Sequence, residues 1–148
     1  MFRIWLYLKF SNFFRSLFEN KQVEKRRQLI EYNILKQSNK KYAALFSQCR
    51  VAFFFILKFL SKKYDKKEII FCAYNLPEMI NIAKNLKLNI KFCDINNNTG
   101  LIDYKQLKNK LSNKTLAVVL TNMFNNYKDS QKIKELVKKN KTILIEDN

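Results

Sequence analysis

Histidine is missing from this 148-residue chain, and glycine and proline occur once each. Three cysteines, Cys49, Cys72 and Cys93, stand without a CxxC spacing. With no imidazole and no clustered thiols the sequence offers no zinc donor set, and an odd cysteine count builds no disulfide framework. No metal is expected. Reduced thiols in a cytoplasmic protein are the default, each acting as a small buried apolar residue. Acidic residues are also few: 12 carboxylates face 29 lysines and arginines, a formal charge of +17. Such a charge invites a nucleic-acid or anionic-membrane reading. Against it, the lysines are spread over every predicted helix and turn, and no nucleic-acid motif accompanies them. Abundant Lys, Asn, Ile and Phe with scarce Gly and Pro is the bias that AT-rich coding DNA gives. No nucleic-acid partner is expected.

An uninterrupted apolar run is the next thing lacking. Residues 1–20 are aromatic, but Arg3, Lys9 and Arg15 break them, so they fail as a membrane-spanning helix. They also lack the small-residue cleavage site of a signal peptide. On a helix, Phe2, Leu6, Phe10, Phe13 and Leu17 share one face. That pattern suits an interfacial helix, with Trp5 and Tyr7 at headgroup level and a peripheral contact on the inner membrane face. A helix packed on the domain or on a partner subunit fits the same residues. Residues 21–39 follow as a helical lead-in, with Leu29, Ile30 and Ile34 among charges.

From residue 40 to 148 the pattern alternates, and an apolar content of 47% supports one domain with a core. Strands are expected at Tyr42–Phe46, Glu68–Phe71, Asn89–Cys93, Leu116–Leu120 and Thr142–Ile145. Between them, Val51 to Leu60 reads as a helix apolar on most sides and hence deeply buried. Met79, Ile82, Ala83 and Leu86 recur at helical spacing. Leu107 with Leu111, and Ile133 with Leu136 and Val137, mark two more helices. Asn96 to Gly100 is a turn that holds the only glycine. Strands alternating with helices imply an α/β fold: three layers around a mostly parallel sheet with right-handed crossovers. The last strand delivers Glu146 and Asp147 to its carboxyl end, where sites gather in open α/β sheets.

Several segments, in order, carry a family resemblance. Lys41-Tyr42-Ala43-Ala44-Leu45-Phe46-Ser47-Gln48-Cys49-Arg50-Val51-Ala52 is similar to a strand–turn–helix with serine-glycine-threonine or serine-glycine-arginine. Glu68-Ile69-Ile70-Phe71-Cys72-Ala73-Tyr74-Asn75-Leu76-Pro77 resembles a segment "glutamate-valine-isoleucine-x-proline-x-tyrosine-threonine". Phe92-Cys93-Asp94-Ile95 and Thr99-Gly100-Leu101-Ile102-Asp103 look like "valine-aspartate-isoleucine" and "threonine-glycine-x-isoleucine-aspartate". Ile145-Glu146-Asp147 matches "isoleucine-glutamate-aspartate". Together they resemble the DegT/DnrJ/StrS family of pyridoxal-phosphate-dependent sugar aminotransferases, which have the type I aminotransferase fold.

The resemblance implies pyridoxal 5'-phosphate as cofactor. It places Asp147 against the pyridine nitrogen, Cys49, Arg50 and Val51 around the phosphate at the helix start after Ser47, and Leu76 over the ring. Cys49 stands where the family has glycine, and Leu76 where it has an aromatic residue; Tyr74 is aromatic but two residues early. The lysine that holds the cofactor follows the aspartate strand in the family, after a serine-rich segment, and no lysine here has that context. The chain is therefore expected to be an N-terminal part of the large domain, inactive alone, with no catalytic residue assigned. The intact relative would be a homodimer moving an amino group from glutamate or glutamine to a nucleotide-linked keto-sugar for surface polysaccharide assembly. The alternative expectation is a non-catalytic basic protein that sits on a membrane or partner through its first helix.

Overall fold

The computed structural model describes the backbone of residues 23–122 and 127–147, and the side chains of these except 127–129. The interfacial helix expected at Met1 to Phe18 lies outside them. Two units are compact within themselves, Met1–Ser47 and Gln48–Asn148.

In the first unit, α1 (Val23–Ser38) is a solvated helix with no buried residue. Its polar surface is laced locally, as in the Arg27–Glu31 pair one turn apart. Tyr42–Phe46 corrects the sequence reading: this segment forms no strand. The Leu45 amide donates to the Glu31 carboxylate at 3.1 Å, and Tyr42 and Phe46 are exposed. Five residues of strand-like composition need a neighbouring strand to become one, and this segment has none in the sheet order.

The second unit is a three-layer α/β domain. Its strands β1 (Glu68–Cys72), β2 (Asn89–Cys93), β3 (Thr115–Thr121) and β4 (Ile143–Asp147) form an all-parallel sheet in the order β2-β1-β3-β4. The helices α2 (Cys49–Lys63), α3 (Pro77–Asn85), α4 (Tyr104–Lys110) and α5 (Tyr127–Lys139) each precede one strand. Strands β1 and β3 are buried along their whole length, as their unbroken apolar runs require of a sheet covered on both faces. On one face Phe53, Leu57 and Leu60 of α2 and Met79 and Ala83 of α3 pack on Ile69, Phe71, Ala117 and Val119. On the other, Leu107 of α4 and Ile133, Leu136 and Val137 of α5 pack on Ile70, Val118 and Leu120. Alternate side chains of one strand thus feed two cores.

Helix α2 also differs from expectation. It buries one stripe only, and Ile56 and Phe59 are exposed despite its apolar composition. A helix lying on a sheet turns only part of its circumference to the strands, and residues 53, 57 and 60 use that part up.

At the amino end of β1, the buried Glu68 ties three elements together. Lys91 of β2 pairs with its carboxylate, and the Ser112 hydroxyl donates to it at 3.0 Å. The ammonium of Lys91 holds the Glu68 carboxyl below its ordinary value of 4.5, and Ser112 adds to the effect against the opposing cost of burial. A carboxyl lowered in the folded state contributes stability that is complete above its unfolded pKa and fades as pH falls through the lowered one. Glu68→Gln should therefore cost about 2 kcal/mol at neutral pH, and urea midpoints of the two proteins should converge as the medium is acidified below 4.5.

With one glycine available, two helices stop on left-handed lysines. Lys87 (φ 57°) donates to the Lys84 carbonyl at 2.8 Å while Leu88 donates to Ala83 at 3.1 Å. Lys141 (φ 51°) repeats this with Lys138, and Thr142 with Val137. These are Schellman ends with a Cβ in the position that glycine fills without strain. Asn39 (φ 53°) is left-handed just after α1, and the sole glycine, Gly100, takes another such position, in the turn after β2. Replacing Lys87 or Lys141 by glycine should stabilise the fold by about 0.5–1 kcal/mol each, read as a higher denaturant midpoint with an unchanged slope.

Candidate active site

All four strands leave the sheet on one side, and the order β2-β1-β3-β4 reverses direction between β1 and β3. Crevices form outside such reversals. Here the loop after β1 is tethered to β3: the Asn75 side chain donates to Thr121 Oγ1 at 3.0 Å, and its own Oδ1 accepts from the Leu76 amide at 2.7 Å. Leu76 is thereby fixed as the N-cap of α3, one residue ahead of the only proline, which suits a first helical position.

Asp147 closes β4. It pairs in register with Thr121, and the Asn122 amide donates to its carbonyl at 2.9 Å, so the backbone beneath its carboxylate is held by the sheet. The start of α2 faces it. Gln48 is the N-cap residue but gives no side-chain cap, because its Oε1 accepts from Arg50 Nε at 2.8 Å. Bonding inside the helix begins with the Val51 and Ala52 amides, both donating to the Gln48 carbonyl, and no acid sits in the first turn. The helix thus presents a positive end without a side-chain cap, the arrangement that favours an anion.

These parts meet in a cleft of about 450 Å³ lined by Gln48, Cys49, Arg50, Leu76, Glu78 and Met79, with Asp147. Of the residues singled out in the sequence, Cys49, Arg50, Leu76 and Asp147 share this cleft, and Val51 lies one residue further into the helix, half-buried. Tyr74 is exposed in the loop after β1. Gln48, Glu78 and Met79 add to the wall, and Asn75 and Thr121 hold the loop; none was singled out from the sequence. Thr121 is the polar residue that ends the apolar run of β3, and Asn75 comes three residues after the end of β1, the one local signal they carry. Among the described residues no lysine lines the cleft.

Cys49 takes the place of the glycine in the resembled pattern. Its backbone belongs to α2 and is not among the left-handed residues, so a side chain is accommodated without strain. The thiol lies 3.9 Å from Asp147 Oδ1. Partial burial first, then the charge and the hydrogen bond of Asp147, push its pKa up. Cys49 is exposed, whereas Cys72 and Cys93 are buried, and burial pushes the Cys93 thiol up to about 11.

The family model described as the DegT/DnrJ/EryC1/StrS aminotransferase family matches residues 16–148. A GDP-4-keto-6-deoxy-D-mannose-3-dehydratase from E coli, solved with bound hydrated PLP, is 26% identical and superposes with a TM-score of 0.75 over 93% of this chain and 36% of that one. A second GDP-4-keto-6-deoxymannose-3-dehydratase structure is 27% identical, with a TM-score of 0.72 over 82% of this chain and 33% of that one. An aminotransferase from Psychrobacter cryohalolentis, 20% identical, shares the fold with a TM-score of 0.79 over 99% of this chain and 38% of its own. The fold is that of type I PLP-dependent transferases, and the chain spans about a third of the length of these relatives. No curated protein sequence matches it.

The contact between Cys49 and Asp147 gives a direct test of this geometry. Burial raises the thiol most, and Asp147→Asn removes the charge that raises it further, so the thiolate fraction rises. Alkylation of Cys49 by iodoacetamide near pH 8 should quicken severalfold, followed by peptide mapping, while Cys72 and Cys93 remain slow in both proteins.

Proposed function

The chain belongs to the DegT/DnrJ/EryC1/StrS aminotransferase family, and from that premise we propose that its second unit is the cofactor-binding part of a PLP-dependent enzyme acting on a nucleotide-linked keto-sugar. The observation that carries this reading is the shared cleft. A strand-end carboxylate, Asp147, faces an uncapped helix start that carries Arg50. Those groups suit the two ends of pyridoxal phosphate, a ring nitrogen and a phosphate.

Bound there, the cofactor supplies an electron sink for the carbon beside a substrate amine. The Asp147 carboxylate would accept the N–H of the ring nitrogen and keep that nitrogen protonated, which a neutral amide does far less well. The first amides of α2 and the Arg50 guanidinium would hold the phosphate, with Val51 in the turn behind them. Leu76 would cover one ring face by apolar contact alone. The Cys49 thiol, 3.9 Å from Asp147 Oδ1, would border the ring nitrogen. Among the described residues no lysine lines the cleft, so on this reading the amine that holds the cofactor covalently and moves protons is not one of the described cleft residues. On this reading the chain alone binds cofactor weakly and does not transaminate. The names of the sugar-dehydratase relatives support a nucleotide-sugar substrate. A glutamate or glutamine donor, a homodimer and a role in surface polysaccharide assembly complete the proposal.

Titration with pyridoxal phosphate, followed by absorbance and competed with inorganic phosphate, tests it. Weak saturable binding is expected, with Arg50→Ala and Asp147→Asn each raising Kd roughly tenfold or more, the loss of a charged hydrogen bond. Borohydride reduction and peptide mapping should find no single lysine of this chain labelled stoichiometrically. Unchanged affinity in both variants, or one stoichiometrically labelled lysine within residues 1–148, defeats the assignment.

A further inference from the structure

The lysines that look scattered along the sequence are gathered by the fold. In a parallel sheet built from helix–strand repeats, every helix ends, and every helix-to-strand loop lies, at the amino end of the strands. Helix α2 ends in Lys62 and Lys63, and its loop adds Lys66 and Lys67. Helix α3 contributes Lys84 and the following Lys87. Helix α4 contributes Lys108 and Lys110, then Lys114. Helix α5 contributes Lys138 and Lys139, then Lys141. Acids in these last turns and loops are limited to Asp65, and Glu68 just beyond is already paired with Lys91. The opposite end holds Glu78, Asp94, Asp103 and Asp147 with Arg50, Lys105 and Lys132 among them, so cations and acids are mixed there and the excess of lysine lies at the amino end.

Helix dipoles explain only part of this. Each helix carboxyl end carries about half a negative charge, so four of them balance about two cations. The remaining lysines form a basic face with its own cleft, about 790 Å³, lined among others by Lys66, Lys91, Ser112 and Lys114. Apolar groups border that face. Phe59 and Tyr64 are exposed at the end of α2, with Lys63 Nζ 5.5 Å from one ring centroid and 5.6 Å from the other. Lys67 reaches back to the Ser61 carbonyl, joining this aromatic edge to the basic cleft. No helix among the described residues is long and apolar enough to cross a membrane.

We propose that the amino-end face of the Gln48–Asn148 unit docks on an anionic lipid bilayer, its lysines on headgroup phosphates and Phe59 and Tyr64 at headgroup level. Charge complementarity selects an anionic partner, and exposed aromatics flanked by lysines select an interface with an apolar interior. A single-stranded nucleic acid would stack its bases on open ring faces, and Lys63 already occupies one face of each ring, so the choice between the two partners is left to the experiment below. Docked this way, the unit turns the Asp147 cleft toward the aqueous side.

Co-sedimentation of the full chain with vesicles of phosphatidylcholine and phosphatidylglycerol, against phosphatidylcholine alone, tests the proposal. Two charge-matched variants are compared: Lys66→Gln with Lys114→Gln at the amino end, and Lys105→Gln with Lys132→Gln at the other. At roughly fivefold per lysine, the first pair should lose about 25-fold in vesicle affinity and the second should lose little. Phe59→Ala should weaken the binding that persists in high salt. Equal losses in both pairs, or no loss in the first, overturn the proposal. So does a chain that prefers DNA to vesicles at equal salt and is indifferent to Phe59→Ala.

Discussion

Parallel pairing of β1 with β3 is the constraint from which the rest of the unit follows. Two adjacent parallel strands cannot be joined by a hairpin, so the chain must return over a face of the sheet each time. Both faces are then covered, and Ile69 to Cys72 and Leu116 to Leu120 can be apolar at every position instead of alternating. The return path also fixes polarity. All strand ends that can carry a functional side chain open on one side, and all helix ends that attract lysine collect on the other.

At the open side, chemistry is built from groups whose backbones are immobilised for other reasons. Asp147 is still within the β-ladder, its carbonyl bonded to Asn122. Asn75 spends both ends of its amide, one on Leu76 and one on Thr121, and so couples the loop after β1 to β3. Arg50 is steered by Gln48, which leaves the start of α2 without a side-chain cap. An intrinsic cap there would have competed with any bound anion for the same amides.

Much of this is local and therefore legible in the sequence. The four strands and their helices follow from apolar runs and 3.6-residue spacing, and the position of Asp147 follows from being the first acid pair after a buried run. What failed was what depends on a partner. Tyr42–Phe46 has strand composition but no strand beside it, and α2 has the composition of a buried helix but only one covered stripe. The Asn75–Thr121 bond joins residues 46 positions apart, beyond the reach of any periodicity. The segregation of charge was hidden for the same reason: lysines spaced evenly along the chain become neighbours only when four helices end at one level.

Among the described residues, β2 and β4 each pair with one neighbour and so form the sheet's edges. They are not equally protected. In β2 the central residue is Lys91, a charge that discourages a second strand from adding there. In β4 the run Ile143-Leu144-Ile145 is half-buried and uncharged until Glu146. A chain concentrated or partly unfolded in solution should therefore self-associate through β4 and not through β2, and a strand that joined this ladder in parallel would bring its carboxyl end beside Asp147. Colloidal behaviour and the assembly of the cleft are thus governed by one strip of unpaired backbone.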